Sequence, residues 1–329
     1  MKALLAAAAL ATASAAFAQK QVTIAYQDMV VPYRVAQEAK EIEKATGYRI
    51  EWKQFGGGGE VIKAMASGQV QIGEVGSAPL ASAISRGLPL ELFWILDDIG
   101  DAEALVARNG SGIDKLEDLK GKRLATPFAS TGHFHAMVAL ELAKLKPSDV
   151  KFLNMRPPEI AAAWDRGDVD ATYIWDPVLS KAKASGKVII TSGQITARTG
   201  KATFDGMAVN RDWAKANGDF LVAMIKVMAA ADERYRANKA AWTKDSPEVK
   251  AVAKWSGAKP EDVPAAMALY SFPTMKEQAE KWLGGGKNSL AARAFAATAQ
   301  FLVEQKQLEK ALADYSIGVN PSYVQRAMK

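Results

Sequence analysis

Apolar and polar positions alternate in short runs, then stretch to helical spacing, again and again through the first two thirds of the chain. Val22–Tyr26 reads as a first strand, followed by a helix with Val35, Ala39 and Ile42 on one face that ends near Gly47. Tyr48–Trp52 alternates as a second strand, and the run Gly56–Gly59 forms a loop before a helix over about Val61–Ser67. The stretch Gly68–Leu80 then predicts a strand, a glycine turn and a helix start. Val70, Ile72 and Val75 are β-branched strand residues, and Gly73 and Gly76 offer backbone freedom for the turn. Ser77 is the expected cap, with Pro79 in the first turn and Arg86-Gly87 at the helix end. Leu90–Leu96 follows as a further strand.

After the short strand Ala104–Ala107 and the turn Asn109–Gly112, Ile113–Pro127 starts a fresh α/β unit. Ser130-Thr131-Gly132-His133 leads into a helix carrying Met137, Leu140 and Leu145. Strands at Val150–Asn154 and Val169–Trp175 flank a helix from Pro157 to Gly167, and Asp176-Pro177 opens another helix. Phe204–Asn210 is a last strand. Beyond Arg211 the pattern is mostly helical, with core faces at Leu221, Ile225 and Met228 and at Phe295, Ala299 and Leu302. Alternating strands and helices predict parallel βαβ units. Ala64–Pro79 and Ala161–Pro177 share one order of helix, glycine, strand and proline, which suggests two lobes of like construction. The expected path builds lobe one from 19–104 plus 205–329 and lobe two from 105–204, with the helical tail packed on lobe one. Two crossings between lobes make a hinge.

Composition narrows the class. Residues 1–18 have a short positive start, an apolar run and Ala16-Phe17-Ala18, the pattern of a secretory signal peptide. The expected mature chain is exported. No cysteine occurs among the 329 residues, which excludes disulfides, thiolate chemistry and cysteine-held metals. The net charge of +6 is spread among acids without a basic, aromatic-laced block, so nucleic acid is not an expected partner. Two histidines, His133 and His135, are too few for a metal site, and no G-x-S-x-G or Walker motif occurs. The expectation is a binding protein with no catalytic residue, metal or cofactor.

The remaining constellation suits a small zwitterion. The helix starts at Ser77-Ala78 and Ser130–His133 offer N–H and hydroxyl donors to an anion, aided by the helix dipoles. Asp205 can take an ammonium group, and Tyr26 and Trp175 can wall off an alkyl segment. Each has a plainer reading: Trp175 as core, Asp205 as a turn cap, His133 as a satisfied structural residue. Glu74 and Asp176 are acids beside a place suited to an anion; each either faces the cleft or is solvated, paired with a Lys or Arg, or set behind the site.

Ala25-Tyr26-Gln27, Gly68–Gly73 with Gly76–Leu80, Ser130–His133 and Asp168–Trp175 together resemble the taurine-binding proteins of bacterial ABC importers. The likeness runs from about Val22 to Asp314-Tyr315-Ser316. It implies an α/β, two-lobed periplasmic-binding-protein fold (type II-like), each lobe a mixed sheet flanked by helices. It also implies a monomer in the periplasm that delivers taurine or a close aminoalkyl sulfonate to an ABC permease and, through it, to an ATPase. The implied ligand residues are Tyr26, Gln27, Ser77, Ala78, Thr131, Gly132, His133, Trp175 and Asp205, with the sulfonate at the helix starts and the amine at Asp205. Another alkanesulfonate or small zwitterion is the nearest alternative ligand. An enzyme on the same scaffold acting on a nitrogen heterocycle is an alternative from a different class.

Overall fold

In the computed structural model, residues 19–329 are described, and the expected signal peptide at 1–18 lies outside them. Ten strands form two five-stranded sheets. The first sheet takes β1 (Gln21–Tyr26), β2 (Arg49–Gln54), β3 (Ile72–Gly76), β4 (Leu90–Asp98) and β10 (Phe204–Asn210). The second takes β5 (Glu103–Arg108), β6 (Arg123–Thr126), β7 (Lys151–Asn154), β8 (Ala171–Trp175) and β9 (Gly186–Thr191). Their orders, β2-β1-β3-β10-β4 and β7-β6-β8-β5-β9, are the same arrangement made twice. In each, three parallel strands are followed by an antiparallel strand that has come from the other sheet. Both sheets are therefore mixed, where alternation alone predicts parallel pairing. The repeat seen in the sequence places its strands, β3 and β8, third in their sheets. The chain crosses to the second sheet between Asp98 and Glu103 and returns between Thr199 and Phe204.

The helices are α1 (Arg34–Glu38), α2 (Glu41–Thr46), α3 (Gly58–Ala66), α4 (Ser77–Ser85), α5 (Thr131–Leu142), α6 (Pro157–Arg166), α7 (Val178–Lys183) and α8 (Ser192–Thr199), followed by the helical tail. The single helix expected over 34–47 is two, because Lys40 adopts a left-handed conformation and breaks it. The β9–α8 pair escapes the hydrophobic pattern: β9 is largely solvent-facing, so no apolar alternation marks it. The tail packs on the first sheet, with Leu221, Ile225, Met228, Phe295 and Ala299 in its core. Phe301 alone of this tail reaches the core of the second sheet, edge-on to Phe134.

Two glycines of β3 serve space, not turning. Neither has a left-handed φ, and Gly76 is extended at φ −69. A Cβ at Gly73 would meet Val61 and Met65 of α3 at 2.6 and 2.8 Å, so Gly73 lets that helix press on the strand. A Cβ at Gly76 would sit 2.7 Å from Cγ2 of Thr131, which belongs to α5 of the other body.

Beneath β3, Arg34 and Glu74 form an ion pair at 2.9 Å with neither side chain exposed. Glu74 Oε2 also accepts the Gln27 N–H at 2.6 Å, and Arg34 donates to the Gln27 carbonyl and the Tyr33 hydroxyl. Removing one partner leaves a buried charge uncompensated, at about 3–5 kcal/mol. Arg34→Leu is therefore expected to lower unfolding stability by about that amount in urea titration, with Arg34→Leu/Glu74→Leu recovering part of the loss. Equal losses in the single and double variants would contradict this account.

Candidate functional site

The two crossing strands each carry an acid to the same level. Asp205, near the start of β10, lies opposite Gly76 at the end of β3. Glu103, at the start of β5, lies opposite Trp175 at the end of β8. The internal repeat thus has a counterpart in chemistry. Between these two strand pairs is a cavity faced from the first body by Gln27, Met29, Gly58, Gly76, Pro79 and Asp205. The second body contributes Glu103, Ser130, Thr131 and Trp175.

Three helix starts converge there, one more than the sequence suggests. Gly58 opens α3, Gly76 precedes Ser77 at the start of α4, and Ser130 precedes Thr131 at the start of α5. The first two have no side-chain cap, so their first N–H groups keep their donor capacity, whereas Ser130 Oγ accepts the His133 N–H at 3.0 Å. Helix starts bring partial positive charge to the same cavity as two carboxylates, which lie beside them: Asp205 Oδ1 is 3.2 Å from where a Cβ on Gly76 would sit, and Glu103 accepts the Thr131 hydroxyl. Such an arrangement offers partners to both charges of one small zwitterion.

The acid side is braced. Glu103 accepts hydrogen bonds from the Thr131 hydroxyl at 2.5 Å and the Ser192 hydroxyl at 3.4 Å. Burial raises its carboxyl to about 7, against the lowering effect of those bonds. Burial, reinforced by the charges of Glu103 and Glu74, raises Asp205 well above the usual carboxylate range. Trp175 Nε1 donates to Asp28 Oδ1 at 2.8 Å, a bond from one body to the other, and burial lifts Asp28 to about 6.

The sequence-derived residues part company here. Gln27, Thr131, Trp175 and Asp205 line the cavity together. Ser77 is fully buried at the first position of α4, and its hydroxyl accepts the Phe204 N–H at 3.2 Å, which ties it to β10. Tyr26 is not part of the lining. It stands edge-on to Trp52 and Trp255, with the Arg34 guanidinium 5.2 Å from its ring. Gly132 is absent from the lining as well, because α5 turns it towards β8, where a Cβ would lie 3.3 Å from the Tyr173 carbonyl.

Ala78 and His133 line a different, mostly apolar space of about 440 Å³ beside the first. His133 stacks on Phe128 at 4.5 Å, and burial lowers it to about 4, so it is neutral at pH 7. His135 is fully buried between the Ser192 hydroxyl and the Lys201 carbonyl. Glu74 is paired behind the site with Arg34, and Asp176 is buried with Oδ1 accepting the Ser180 N–H at 2.9 Å. Neither lines the cavity.

Glu103, Met29 and Gly58 are lining residues that sequence reasoning does not assign to the site. Glu103 had a signal: it occupies in one crossing strand the place that Asp205 holds in the other. The run Gly56–Gly59 was the signal for the third helix start. A Cβ at Gly59 would meet Ala129 at 3.0 Å and one at Gly56 would meet Arg156 at 2.8 Å, so this loop is where the second body rests. Among the described residues no group of His, Asp and Glu is arranged to hold a metal ion, and no helix is long and apolar enough to cross a membrane.

Asp28 and Glu103 retain protons in the fold over a pH range in which an unfolded chain has lost them. Their stabilisation is complete below the ordinary carboxylate range and is lost as pH rises through about 6 and about 7. The ligand-free melting temperature should fall between about pH 5 and about pH 8, and Glu103→Gln should flatten that decline. Identical pH profiles for the two proteins would contradict the assignment.

Comparison with known proteins places this geometry among relatives. Residues 22–255 match the family described as "ABC transporter, phosphonate, periplasmic substrate-binding protein". The taurine-binding periplasmic protein of Escherichia coli K12 is 38% identical over 304 residues, which cover 92% of each chain. The alkanesulfonate-binding protein SsuA of Xanthomonas axonopodis pv. citri, solved with bound MOPS, superposes with a TM-score of 0.75. It is 24% identical, with 91% of this chain and 98% of that one covered. The periplasmic aliphatic sulphonate binding protein SsuA of Escherichia coli gives a TM-score of 0.71 at 22% identity, covering 94% and 100% of the two chains.

Proposed function

The chain belongs to the periplasmic substrate-binding proteins of ABC transporters, and from that premise we propose that it captures taurine or a close aminoalkyl sulfonate and hands it to a membrane permease. One observation carries the reading: three helix starts and two carboxylates line one small cavity between the bodies. A sulfonate is met by N–H donors at the starts of α3, α4 and α5. An ammonium is met by Asp205, with Glu103 as a second acceptor. Trp175 and Met29 supply apolar wall for the two-carbon link.

The room at the centre is about 10 Å³, about that needed for one water molecule. A ligand therefore enters when the bodies part, and the parts that move are 19–104 plus 205–329 against 105–204. Closure brings Trp175 and Asp28, and Thr131 and Gly76, back towards each other around the ligand. The closed monomer docks on the permease, whose ATPase stands on the far side of the membrane. The segment 1–18 directs export to the periplasm. Neutral His133 lines the apolar space and Glu103 the other cavity, which supports capture without chemistry.

The relative named for taurine at 38% identity supports the amine-bearing ligand over a plain alkanesulfonate. So do the two acids on the lining, which suit an ammonium and give a plain alkanesulfonate no added partner. Calorimetric titration is expected to give tight binding of taurine and much weaker binding of ethanesulfonate. Asp205→Asn should weaken taurine by roughly 10- to 150-fold, the loss of one charge-assisted hydrogen bond worth about 1.5–3 kcal/mol, and change ethanesulfonate far less. Equal losses for both ligands would remove Asp205 from the amine; no response to any sulfonate would sink the reading.

A further inference from the structure

Behind Asp205 stands an acid that the binding site does not use. Asp97 on β4 is the direct cross-strand partner of Asp205 on β10, and side chains so paired project from the same face. Asp97 is fully buried, and neither of its carboxylate oxygens has a hydrogen-bond partner. An ionised carboxylate in that position would be a buried charge without compensation. The groups that face it offer none. They are Asp98 on its own strand, Asp205 on β10, Glu74 on β3, Glu103 on β5 and the Tyr270 hydroxyl. Arg34, a buried cation of the first body, is committed to Glu74.

We infer that Asp97 makes ligand capture proton-coupled: the Asp97–Asp205 pair holds one proton in the empty site and releases it to solvent when a ligand ammonium arrives. This rests on the amine-binding reading above. Two carboxylates side by side share a proton because the second ionisation would set like charges against each other in a dry place. The ammonium brings the positive charge that the proton had supplied. The exchange balances: the protein carboxyl loses H⁺, the ligand keeps its –NH₃⁺, and the site's charge is restored. Burial first, and then the neighbouring carboxylates, raises both acids, which agrees with a proton held in the absence of ligand.

The consequence is a binding site whose affinity follows pH. Below the pair's ionisation, taurine binding should tighten by up to about tenfold per pH unit as pH rises, then level off. Glu103 contributes a further proton, linked to the pair through its charge on Asp205. The test is calorimetric titration of taurine into the full mature protein between about pH 5 and about pH 8, in buffers of different ionisation enthalpy. The buffer dependence gives the protons released per ligand bound.

At the acid end, wild-type protein is expected to release about one proton from the pair, Asp97→Asn about one fewer than wild type, and Glu103→Gln to keep the release from the pair. A buffer-independent enthalpy in wild type overturns the proposal while leaving taurine binding intact. So does an unchanged count in Asp97→Asn, or a count of zero in Glu103→Gln. If Asp97→Asn fails to fold by circular dichroism, the wild-type and Glu103→Gln counts still decide the matter. No taurine binding at any pH removes the ligand reading and this proposal with it.

Discussion

A carboxylate and a guanidinium, both withdrawn from solvent, form the joint on which the binding cavity rests. Arg34 and Glu74 hold Gln27 from two sides, since Glu74 accepts its N–H and Arg34 donates to its carbonyl. The Gln27 amide in turn donates to the Glu74 carbonyl at 3.0 Å. Strands β1 and β3 are thereby locked together at their carboxyl ends, where the cavity begins. The pair also decides the electrostatics above it. Because Glu74 consumes the Arg34 charge, no other buried cation among the described residues of the first body is left to neutralise Asp205 or Asp97. The acids at the site remain available for a cation from outside.

The second constraint is closeness. The two bodies meet where side chains are missing. Gly76 admits Thr131, Gly59 admits Ala129, and Gly56 admits Arg156. Each contact brings a helix start of one body to face a strand end of the other. A cavity of this size, lined by both donors and carboxylates, follows from that approach. It also explains why β3 carries glycines that have no left-handed conformation: they make room for neighbours, Gly73 for α3 within the first body and Gly76 for α5 of the second.

Most strands and the helices that follow them were legible in the sequence, because a half-buried strand and an amphipathic helix leave different periods. The failures have physical causes. The helix expected over 34–47 broke at Lys40, whose left-handed backbone no hydrophobic pattern records. Strand β9 gave no alternation because much of it faces solvent. Among the site residues, Trp175 and Asp205 could be read from their places near strand ends. Tyr26 at a strand end gave the same signal, yet its ring packs with Trp52 and Trp255. Glu103 was hidden in plain composition, one acid among many, until the twofold likeness of the crossing strands set it opposite Trp175.

By itself the sequence determined the class of the molecule: repeated strand–helix units, two of them alike, a helical tail, and helix starts rich in glycine and hydroxyl residues. These are local properties, set by side-chain period and backbone preference within a few residues. Only the tertiary structure decided which helix starts share a cavity, that His133 and Ala78 belong to a neighbouring apolar space, and that Glu74 is neutralised from beneath. It alone set Asp97 against Asp205 across a strand pair. Those facts depend on contacts between residues as much as 147 positions apart, as in the bond from Trp175 to Asp28. Charge in a protein is decided by such neighbours, because burial and pairing, not residue type, determine whether a carboxylate keeps its proton.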